Sequence, residues 1–351
     1  MRTLILALFL VFFAALLPAA NTMDVYAIDT EGGKALLTIS PSGETMLVDL
    51  GWAESGLRAS STGQVIEALK GIGVKRIDHL VISHYDIDHF GDVPKFVAAI
   101  PVGHVYDHGD IQLAKVEEGR ASKMGETAKA LFDAYAAMRD KIGHTVLKPG
   151  DKLPIKGIDV QVIHAAAKWI TKPLAGAGAP NPACATAKQA DLLPRDLEDD
   201  NSIGLLYTFG KFRMYDPADL EAHNAHELVC PNNPIGTVDV YQINVHGQNK
   251  GYSAAMVSAL KAPVVMETNG NRKGGDADVW TNLHSLPVPP DVWALHFNDP
   301  AGAEKNPPAD FIANLPGPDG IKSLKISAQQ SGTFTVTNER NGFSKTYPSG
   351  R

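Results

Sequence analysis

The chain has 351 residues, of which 44% are hydrophobic and 20% are charged, and this composition is ordinary for a soluble protein with a large core. Its formal net charge of -7 disfavours a non-specific nucleic-acid binder, because such proteins use basic surfaces to displace counterions from phosphates. The length alone allows one large domain or two.

The N-terminus has the three parts of a secretory signal peptide. Arg2 gives a basic start, an apolar run follows from Leu4 to Leu17, and Pro18-Ala19-Ala20 is a small-residue end. The apolar run is too short for a comfortable membrane span. We therefore expect a signal peptide over residues 1–20, cleaved near Ala20, and a single mature domain over 21–351 that is secreted or periplasmic, with no stable membrane span after cleavage. An uncleaved anchor is the alternative, because Pro18 occupies the third position before the cut.

The sequence contains two cysteines, Cys184 and Cys230. In an oxidising compartment they could form one disulfide, and two unpaired thiols are the equal alternative. Neither lies in a CxxC or CxH arrangement, so the sequence does not favour a cysteine-based metal site.

The mature chain begins with short β-rich segments. Val25–Asp29, Ala35–Ile39 and Thr45–Asp49 are separated by glycine turns, which predicts an antiparallel meander. Gln64–Leu69 has helical spacing. Ile77–Ser83 is then predicted to be a buried strand that ends at a polar cluster, a common position for functional side chains.

The middle of the chain is predicted to be mainly helix and loop. A helix is expected over Pro94–Ala99, with proline at its start, and a long amphipathic helix is expected over 112–142. Lys172–Asp200 is rich in proline, alanine, glycine and charge, which indicates a long surface loop.

Strands dominate the rest of the chain, and the order of the elements favours an α+β layered sandwich over a parallel doubly wound sheet. Asn341-Gly342 favours the tight turn of a closing hairpin. The predicted elements are strands at Ser202–Phe209, Phe212–Tyr215, Val240–Val245, Val264–Thr268, Gly332–Thr337 and Phe343–Tyr347, and a helix at Tyr252–Leu260.

The polar cluster after the predicted strand 77–83 places two imidazoles and two carboxylates within six residues: His84, Asp86, Asp88 and His89. Imidazole and carboxylate are the ligands that suit divalent transition metals such as zinc and manganese. A solvated loop is the alternative, but this spacing after an apolar strand favours a metal centre.

This segment resembles the HxHxDH motif of the metallo-β-lactamase superfamily, with Asp86 where most members have the second histidine. The HxDxDH form is similar to the extracytoplasmic hydrolase domain of ComEC-type competence channel proteins, which handle incoming DNA. Ile28–Ala35 resembles the family's LDVGQGDA opening, Thr45–Gly51 its second hairpin and Asp200–Leu206 its NxxS strand. The resemblance implies an α+β fold of the four-layer αβ/βα sandwich type.

Two later segments resemble the family's remaining ligand positions. The bridging aspartate corresponds to Asp219, with Asp216 as the rival, and the late histidine corresponds to His246. Val245 stands where the first histidine of the family's HHG usually lies. The position of a further histidine corresponds to Asn201-Ser202, so His296 is a candidate replacement.

The resemblance implies one or two divalent ions, zinc in preference to manganese. His84, Asp86 and a late histidine would hold one ion, and Asp88, His89 and the shared Asp219 would hold the other. It also implies a hydrolase that uses a metal-bound hydroxide, with Asp88 as the catalytic carboxylate.

Other polar residues have weaker signals. Arg272 and Lys273, in a glycine-rich turn, are candidates for binding an anionic substrate group, and an ordinary flexible loop is the equal alternative. His108 could line the pocket. His223 and His226 are interpreted as solvated helix residues, and His164 as a core histidine.

The favoured substrate is a phosphodiester or similar small anionic molecule, either free or derived from the cell envelope. The alternatives are a lactone or β-lactam-type ester or amide, and a non-catalytic metal-binding module on the same fold. Long nucleic acid is disfavoured by the net charge but stays open, and the sequence leaves the oligomeric state open.

Overall fold

The computed structural model describes residues 22–55, 58–111, 122–186, 197–317 and 321–349. The predicted signal peptide and the first ten residues of the predicted helix 112–142 lie outside these ranges. In the described part of the chain, no helix is long and apolar enough to cross a membrane.

The first sheet joins the two ends of the chain. Its strand order, among the described residues, is β18-β17-β16-β1-β2-β3-β4-β5-β6. The antiparallel pairs run from β18 to β3, and β3, β4, β5 and β6 are parallel neighbours. These strands are β1 (Thr22–Ala27), β2 (Leu36–Ile39), β3 (Thr45–Val48), β4 (Ile77–Val81), β5 (Val102–Asp107), β6 (His144–Val146), β16 (Leu324–Gln329), β17 (Phe334–Asn338) and β18 (Ser344–Tyr347).

The second sheet is built from the middle of the chain. Its described order is β15-β14-β13-β12-β11-β10-β8-β7, with β9 paired to β8. The strands from β11 to β15 are parallel neighbours, and β10 is antiparallel to both β11 and β8. These strands are β7 (Lys152–Leu153), β8 (Asp159–Ala165), β9 (Lys168–Trp169), β10 (Gly204–Phe209), β11 (Phe212–Asp216), β12 (Val240–Gln242), β13 (Val264–Glu267), β14 (Asp291–His296) and β15 (Ile312–Asn314).

Most of the helices pack on the outer faces of the two sheets. They are α1 (Thr62–Ile72), α2 (Ile87–Phe90), α3 (Val93–Ala99), α4 (Ser122–Ile142), α5 (Leu197–Asn201), α6 (Ala222–Val229), α7 (Ala254–Leu260) and α8 (Ala277–His284). Helix α1 buries Val65, Ile66 and Leu69, whose spacing places them on one side of the helix.

Three apolar clusters define the layers. One cluster lies between the sheets and contains residues from both, such as Val25 and Val48 of the first sheet and Leu205 of the second. A second cluster packs the other face of the first sheet against α1, α3 and α4. A third packs the other face of the second sheet against α6, α7 and α8. The order is therefore helix, sheet, sheet, helix, which confirms the α+β four-layer sandwich.

Most predicted elements are present with shifts of a few residues at their ends. The segment 172–200, predicted to be loop throughout, contains a 3₁₀ turn at Pro182–Ala185 and ends in α5. Residues 187–196 of this segment lie outside the described ranges. Cys184 and Cys230 form a disulfide, which resolves the alternative that the sequence left open.

Candidate metal centre

The candidate centre lies where strands of both sheets end. The loop after β4 carries His84 and leads into α2, which holds Asp88 and His89. Asp219 follows β11 of the second sheet, and His246 lies in a tight turn after β12. Because chain segments from both sheets meet here, the folded sandwich brings together residues that are up to 162 positions apart, from His84 to His246.

Four donor groups converge in one place: Asp88, His89, Asp219 and His246. His89 Nε2 lies 3.0 Å from His246 Nε2, and these two atoms lie 3.2 and 3.1 Å from Asp88 Oδ2. The carboxylate oxygens of Asp219 lie 3.3 Å from each ring nitrogen. A tetrahedral zinc site with bonds of about 2.1 Å has ligand atoms about 3.4 Å apart, so this donor set fits such an ion.

A second group consists of His84, Asp199 and Asp219. His84 Nε2 lies 3.6 Å from Asp199 Oδ1, and this buried nitrogen has no hydrogen-bond partner among the described residues. A buried polar atom without a partner is costly, and a bound ion would satisfy it. Lys250 Nζ contacts Asp199 Oδ2, so a lysine already balances part of the charge of this group.

A layer of polar contacts orients the imidazoles of the four-donor group. Asp49 Oδ2 lies 2.9 Å from His89 Nδ1, and Asp49 also accepts from the backbone N and the hydroxyl of Ser83 at 2.7 Å. The carbonyl of Thr268 lies 3.0 Å from His246 Nδ1. With Nδ1 of each ring held in this way, Nε2 is the nitrogen that faces the other donors.

The pKa values of His84 and His89 shift in opposite directions. Burial, together with the neighbouring His89, lowers the pKa of His84 to about 3, so its ring is neutral and can act as a ligand. Although burial opposes the shift, Asp219 and Asp88 raise the pKa of His89 well above its usual value. A bound ion would therefore displace a proton from His89.

Lys34 provides a buried positive charge beneath the centre. Its Nζ lies 2.8 Å from Asp216 Oδ1 and 3.7 Å from Asp49 Oδ2. Burial would lower the pKa of Lys34, but Asp216 and Asp49 outweigh burial and raise it. Asp216, the rival to Asp219 as bridging aspartate, is thus engaged by Lys34 and belongs to neither donor group.

The structure differs from the sequence assignment of ligands in two respects. His246 lies with Asp88, His89 and Asp219, whereas the sequence placed the late histidine with His84 and Asp86. Asp86 is half-buried at the start of α2 and is absent from the donor groups found among the described residues. Its role as a ligand stays a prediction.

The sequence did not predict Asp199 as a member of the site. Asp199 lies in α5, two residues before Asn201 of the Asn201-Ser202 position at which the family resemblance places a further ligand. The acidic run Glu198-Asp199-Asp200 was the available signal, but it was included in the predicted surface loop. Glu198 Oε1 accepts from the backbone N of Tyr85, which ties this turn to the loop that carries His84.

Lys273 and Arg272 occupy different environments. Lys273 Nζ contacts Asp88 Oδ2 directly and lies 5.0 Å from the ring centre of Trp52. Arg272 is exposed, two residues after Gly270. The glycine-rich turn therefore places one of the two predicted anion-binding residues at the four-donor group.

The other histidines lie outside the four-donor group. His108 Nε2 lies 2.8 Å from Glu198 Oε1, His164 is buried on β8, and His226 is partly buried on α6. His223 belongs to a separate group with Asp200 and Glu221, which differs from the solvated position expected. His296 Nε2 lies 2.7 Å from Asp29 Oδ1, so the structure does not bring it to the metal centre.

Solved structures with detectable similarity have low sequence identity. A protein from Parabacteroides distasonis described as a metal-dependent hydrolase is 14% identical, with 78% of this chain and 92% of that chain covered and a TM-score of 0.41. A metallo-beta-lactamase from Cronobacter sakazakii, a mutant of its HARLDQ motif, is 13% identical over 80% of this chain and 78% of that chain, with a TM-score of 0.34.

A diphosphatase from the PhnP family is 11% identical over 77% of this chain and 94% of that chain, with a TM-score of 0.37. None of these likenesses bears on the substrate of this chain. No curated protein shows significant sequence similarity to it.

The sequence also matches a family model. Residues 35–169 match the metallo-beta-lactamase superfamily, whose members are mostly metal-dependent hydrolases. The matched range contains the HxDxDH segment from His84 to His89. Residues 35–169 are thus similar to this superfamily, and the two-sheet sandwich of the chain has the metallo-beta-lactamase fold.

Proposed function

We propose that the protein is an exported metal-dependent hydrolase that acts on a phosphodiester or a similar small anionic substrate. The observation that carries this proposal is the convergence of Asp88, His89, Asp219 and His246 with the ammonium group of Lys273. Two imidazoles and two carboxylates fit a divalent ion such as zinc, and the adjacent lysine fits an anionic substrate group.

In this proposal, the four donor side chains hold the tighter ion, and His84 with Asp199 holds a second. When bound, the ions would lower the pKa of water and polarise the scissile oxygen. Lys273 would bind a non-bridging phosphoryl oxygen. Asp88 presents Oδ2 to the other donors. Its second carboxylate oxygen, Oδ1, would accept a proton from the attacking water.

Export is supported by the signal-like N-terminus and by the disulfide between Cys184 and Cys230, since disulfides persist mainly in oxidising compartments. The net charge of -7 favours a small or envelope-derived substrate over long nucleic acid. We also propose that the chain is related specifically to the ComEC-type hydrolase domain. This relation is supported by the sequence segments that resemble the family's motifs.

The test compares chromogenic substrates with the zinc- and manganese-loaded protein. We expect hydrolysis of bis(4-nitrophenyl) phosphate, and a loss of activity of about 100-fold or more in Asp88→Asn, because removal of a catalytic carboxylate commonly costs 10²–10⁴-fold. Exposed Glu227→Gln is the charge-matched control. Preferential hydrolysis of a lactone or a β-lactam would replace the phosphodiester assignment, and metal binding without hydrolysis of any substrate would favour a non-catalytic module.

A further inference from the structure

A cavity of about 750 Å³ lies away from the candidate metal centre, at the other end of the parallel strands of the second sheet. Pro263 and Asp291, which line it, lie at the starts of β13 and β14. Thr268, whose carbonyl contacts His246 of the four-donor group, follows the end of β13. From Pro263 to Thr268 the strand extends about 16 Å, so the cavity is separate from the metal centre.

The walls of this cavity are mainly apolar and are built from proline-rich segments. Val288, in the loop after α8, is 83% exposed, more than the other exposed large hydrophobic residues among those described. Proline has a fixed φ and no backbone N–H, so such walls are pre-formed and offer few donors to a polar ligand. The prolines of the lining are Pro263, Pro287, Pro289, Pro290 and Pro348.

The charged residues of the lining are Lys261, Asp291 and Lys345, and they leave one positive charge in excess. Lys345 Nζ lies 2.5 Å from Asp291 Oδ2, and the hydroxyl of Tyr347 donates to the same oxygen at 2.7 Å. Lys261, which follows α7, is exposed and forms no ion pair with another described residue. The cavity therefore complements a ligand with an apolar body and a single anionic group.

We propose that this cavity binds a medium-chain alkyl carboxylate, with the hydrocarbon chain against the proline-rich walls and the carboxylate at Lys261. A hydrocarbon chain needs no hydrogen bonds, which suits walls that offer few donors. One carboxylate neutralises the excess charge of the lining. A free carboxylate is favoured over a membrane surface, because a concave cavity admits a single chain but not a bilayer. This site does not depend on the proposed hydrolase function.

The test is calorimetric titration of the zinc-loaded protein with sodium octanoate and with octylammonium chloride, which have similar chains and opposite charge. We expect octanoate to bind about tenfold more tightly, because an exposed ion pair contributes up to about fivefold and repulsion weakens octylammonium. In the series hexanoate, octanoate and decanoate, the affinity should rise about fourfold for each added methylene that is buried. Equal binding of octanoate and octylammonium by the wild type would overturn the proposal.

Three exposed positions connect this preference to the cavity. Lys261→Met keeps the apolar stem and removes the charge, so it should bring the affinities for the two ligands to within a factor of about two. Val288→Asp should weaken octanoate about tenfold, since it replaces an apolar contact by a like charge. Lys75→Met, which changes an exposed lysine outside the lining, should keep the wild-type preference. Wild-type binding in both cavity variants would overturn the site.

Further measurements separate this site from other places and occupants. His89→Ala should bind octanoate as the wild type does, and loss of binding there would place the carboxylate at the metal centre and overturn the proposal. Binding of phosphatidylglycerol vesicles without binding of octanoate would replace the free ligand by a membrane surface. Sedimentation equilibrium that shows a dimer dissociated by Val288→Asp, again without octanoate binding, would replace it by a second copy of the chain.

Discussion

At the scale of single residues, the candidate centre depends on charges that compensate one another in a buried space. Burial raises the pKa of Asp49, but the contact with His89 and the charge of Lys34 outweigh it and lower the pKa. The ionised Asp49 in turn holds Nδ1 of His89, which directs Nε2 towards Asp88 and Asp219. The same carboxylate therefore fixes both the charge and the orientation of a proposed ligand.

The two donor groups should bind metal with unequal affinity. In the four-donor group each imidazole Nε2 lies within 3.3 Å of both carboxylates, whereas His84 and Asp199 are 3.6 Å apart and Lys250 contacts Asp199. We expect Asp199→Asn to lose the weaker ion and keep the tighter one, and His89→Ala to lose the tighter one. Elemental analysis after dialysis against a defined free zinc concentration measures both stoichiometries.

The control for this measurement is His284→Ala, which removes an exposed imidazole outside the donor groups and should keep the wild-type metal content. Loss of all metal in Asp199→Asn, with native structure retained, would contradict the ranking of the two groups.

Glu267 provides a prediction about pH. Burial, with a contribution from Asp276, raises the pKa of Glu267 from 4.5 to about 8. The folded state then keeps a proton that the unfolded state releases, so the free energy of unfolding should fall as pH rises from 4.5 to 8, by about 1 kcal/mol per pH unit. Glu267→Gln removes this titration.

Urea unfolding of both proteins at pH 5 and pH 8 tests the effect. The stability of the variant relative to the wild type should increase between the two pH values. A relative stability that is the same at both pH values would show that Glu267 stays ionised in the folded protein.

At the scale of elements, the sequence predicts the site best where the ligands are local. His84, Asp88 and His89 share one loop and one helical turn after β4, so their proximity follows from spacing alone. Asp219 and His246 were assigned from the resemblance of their segments to the family's later motifs, and both lie just after strands of the second sheet. The proximity of Asp199 could not be predicted, because it depends on α5 packing against the Tyr85 backbone.

The contact between Asp29 and His296 was also beyond sequence reasoning. These two residues are 267 positions apart; Asp29 follows β1 of the first sheet, and His296 is the last residue of β14 in the second. Their contact depends on how the two sheets stack. The hydrophobic pattern of a strand specifies which of its faces is buried, but it does not specify which residues of the other sheet lie opposite that face.

The packing of β8 against β10 leads to a prediction for Gly204. A Cβ at this position would lie 2.0 Å from Nε2 of the buried His164. Gly204→Ala should therefore lower the free energy of unfolding by about 1–3 kcal/mol, the usual cost of inserting a carbon into a packed core. Chemical denaturation measures the change.

Gly71→Ala is the matched control for Gly204→Ala. It adds the same group in α1, where a Cβ has no neighbouring atom within 4 Å, and should stabilise the helix by about 0.5–1 kcal/mol. Equal effects of the two substitutions would contradict the close packing at Gly204.

The disulfide between Cys184 and Cys230 spans 46 residues and joins the 3₁₀ turn Pro182–Ala185 to the end of α6. It constrains the unfolded chain, so replacing both cysteines by serine should cost about 2–4 kcal/mol of stability. Metal content should be unchanged, because neither cysteine belongs to a donor group. An unchanged denaturation midpoint in the double variant, compared with the oxidised wild type, would contradict this expectation.

At the scale of the whole molecule, the candidate centre joins the two sheets of the sandwich. Two of the four donors, Asp88 and His89, follow a strand of the first sheet. The other two, Asp219 and His246, follow strands of the second sheet. The apolar cluster between the sheets provides the main contact. An ion held by all four side chains would add a link across the same interface at its polar edge.

Removal of the ion should therefore destabilise the entire fold and not only the loop of His84. At a free zinc concentration 100 times the dissociation constant, binding adds about 2.7 kcal/mol, which corresponds to an increase in Tm of about 5 °C for a chain of this size. Calorimetry of the zinc-loaded protein and of the protein dialysed against a chelator measures this difference. His89→Ala should show a much smaller difference, whereas His284→Ala should match the wild type. If chelation removes the metal but leaves Tm unchanged in the wild type, the ion does not link the two sheets, and the four side chains do not act as one binding site.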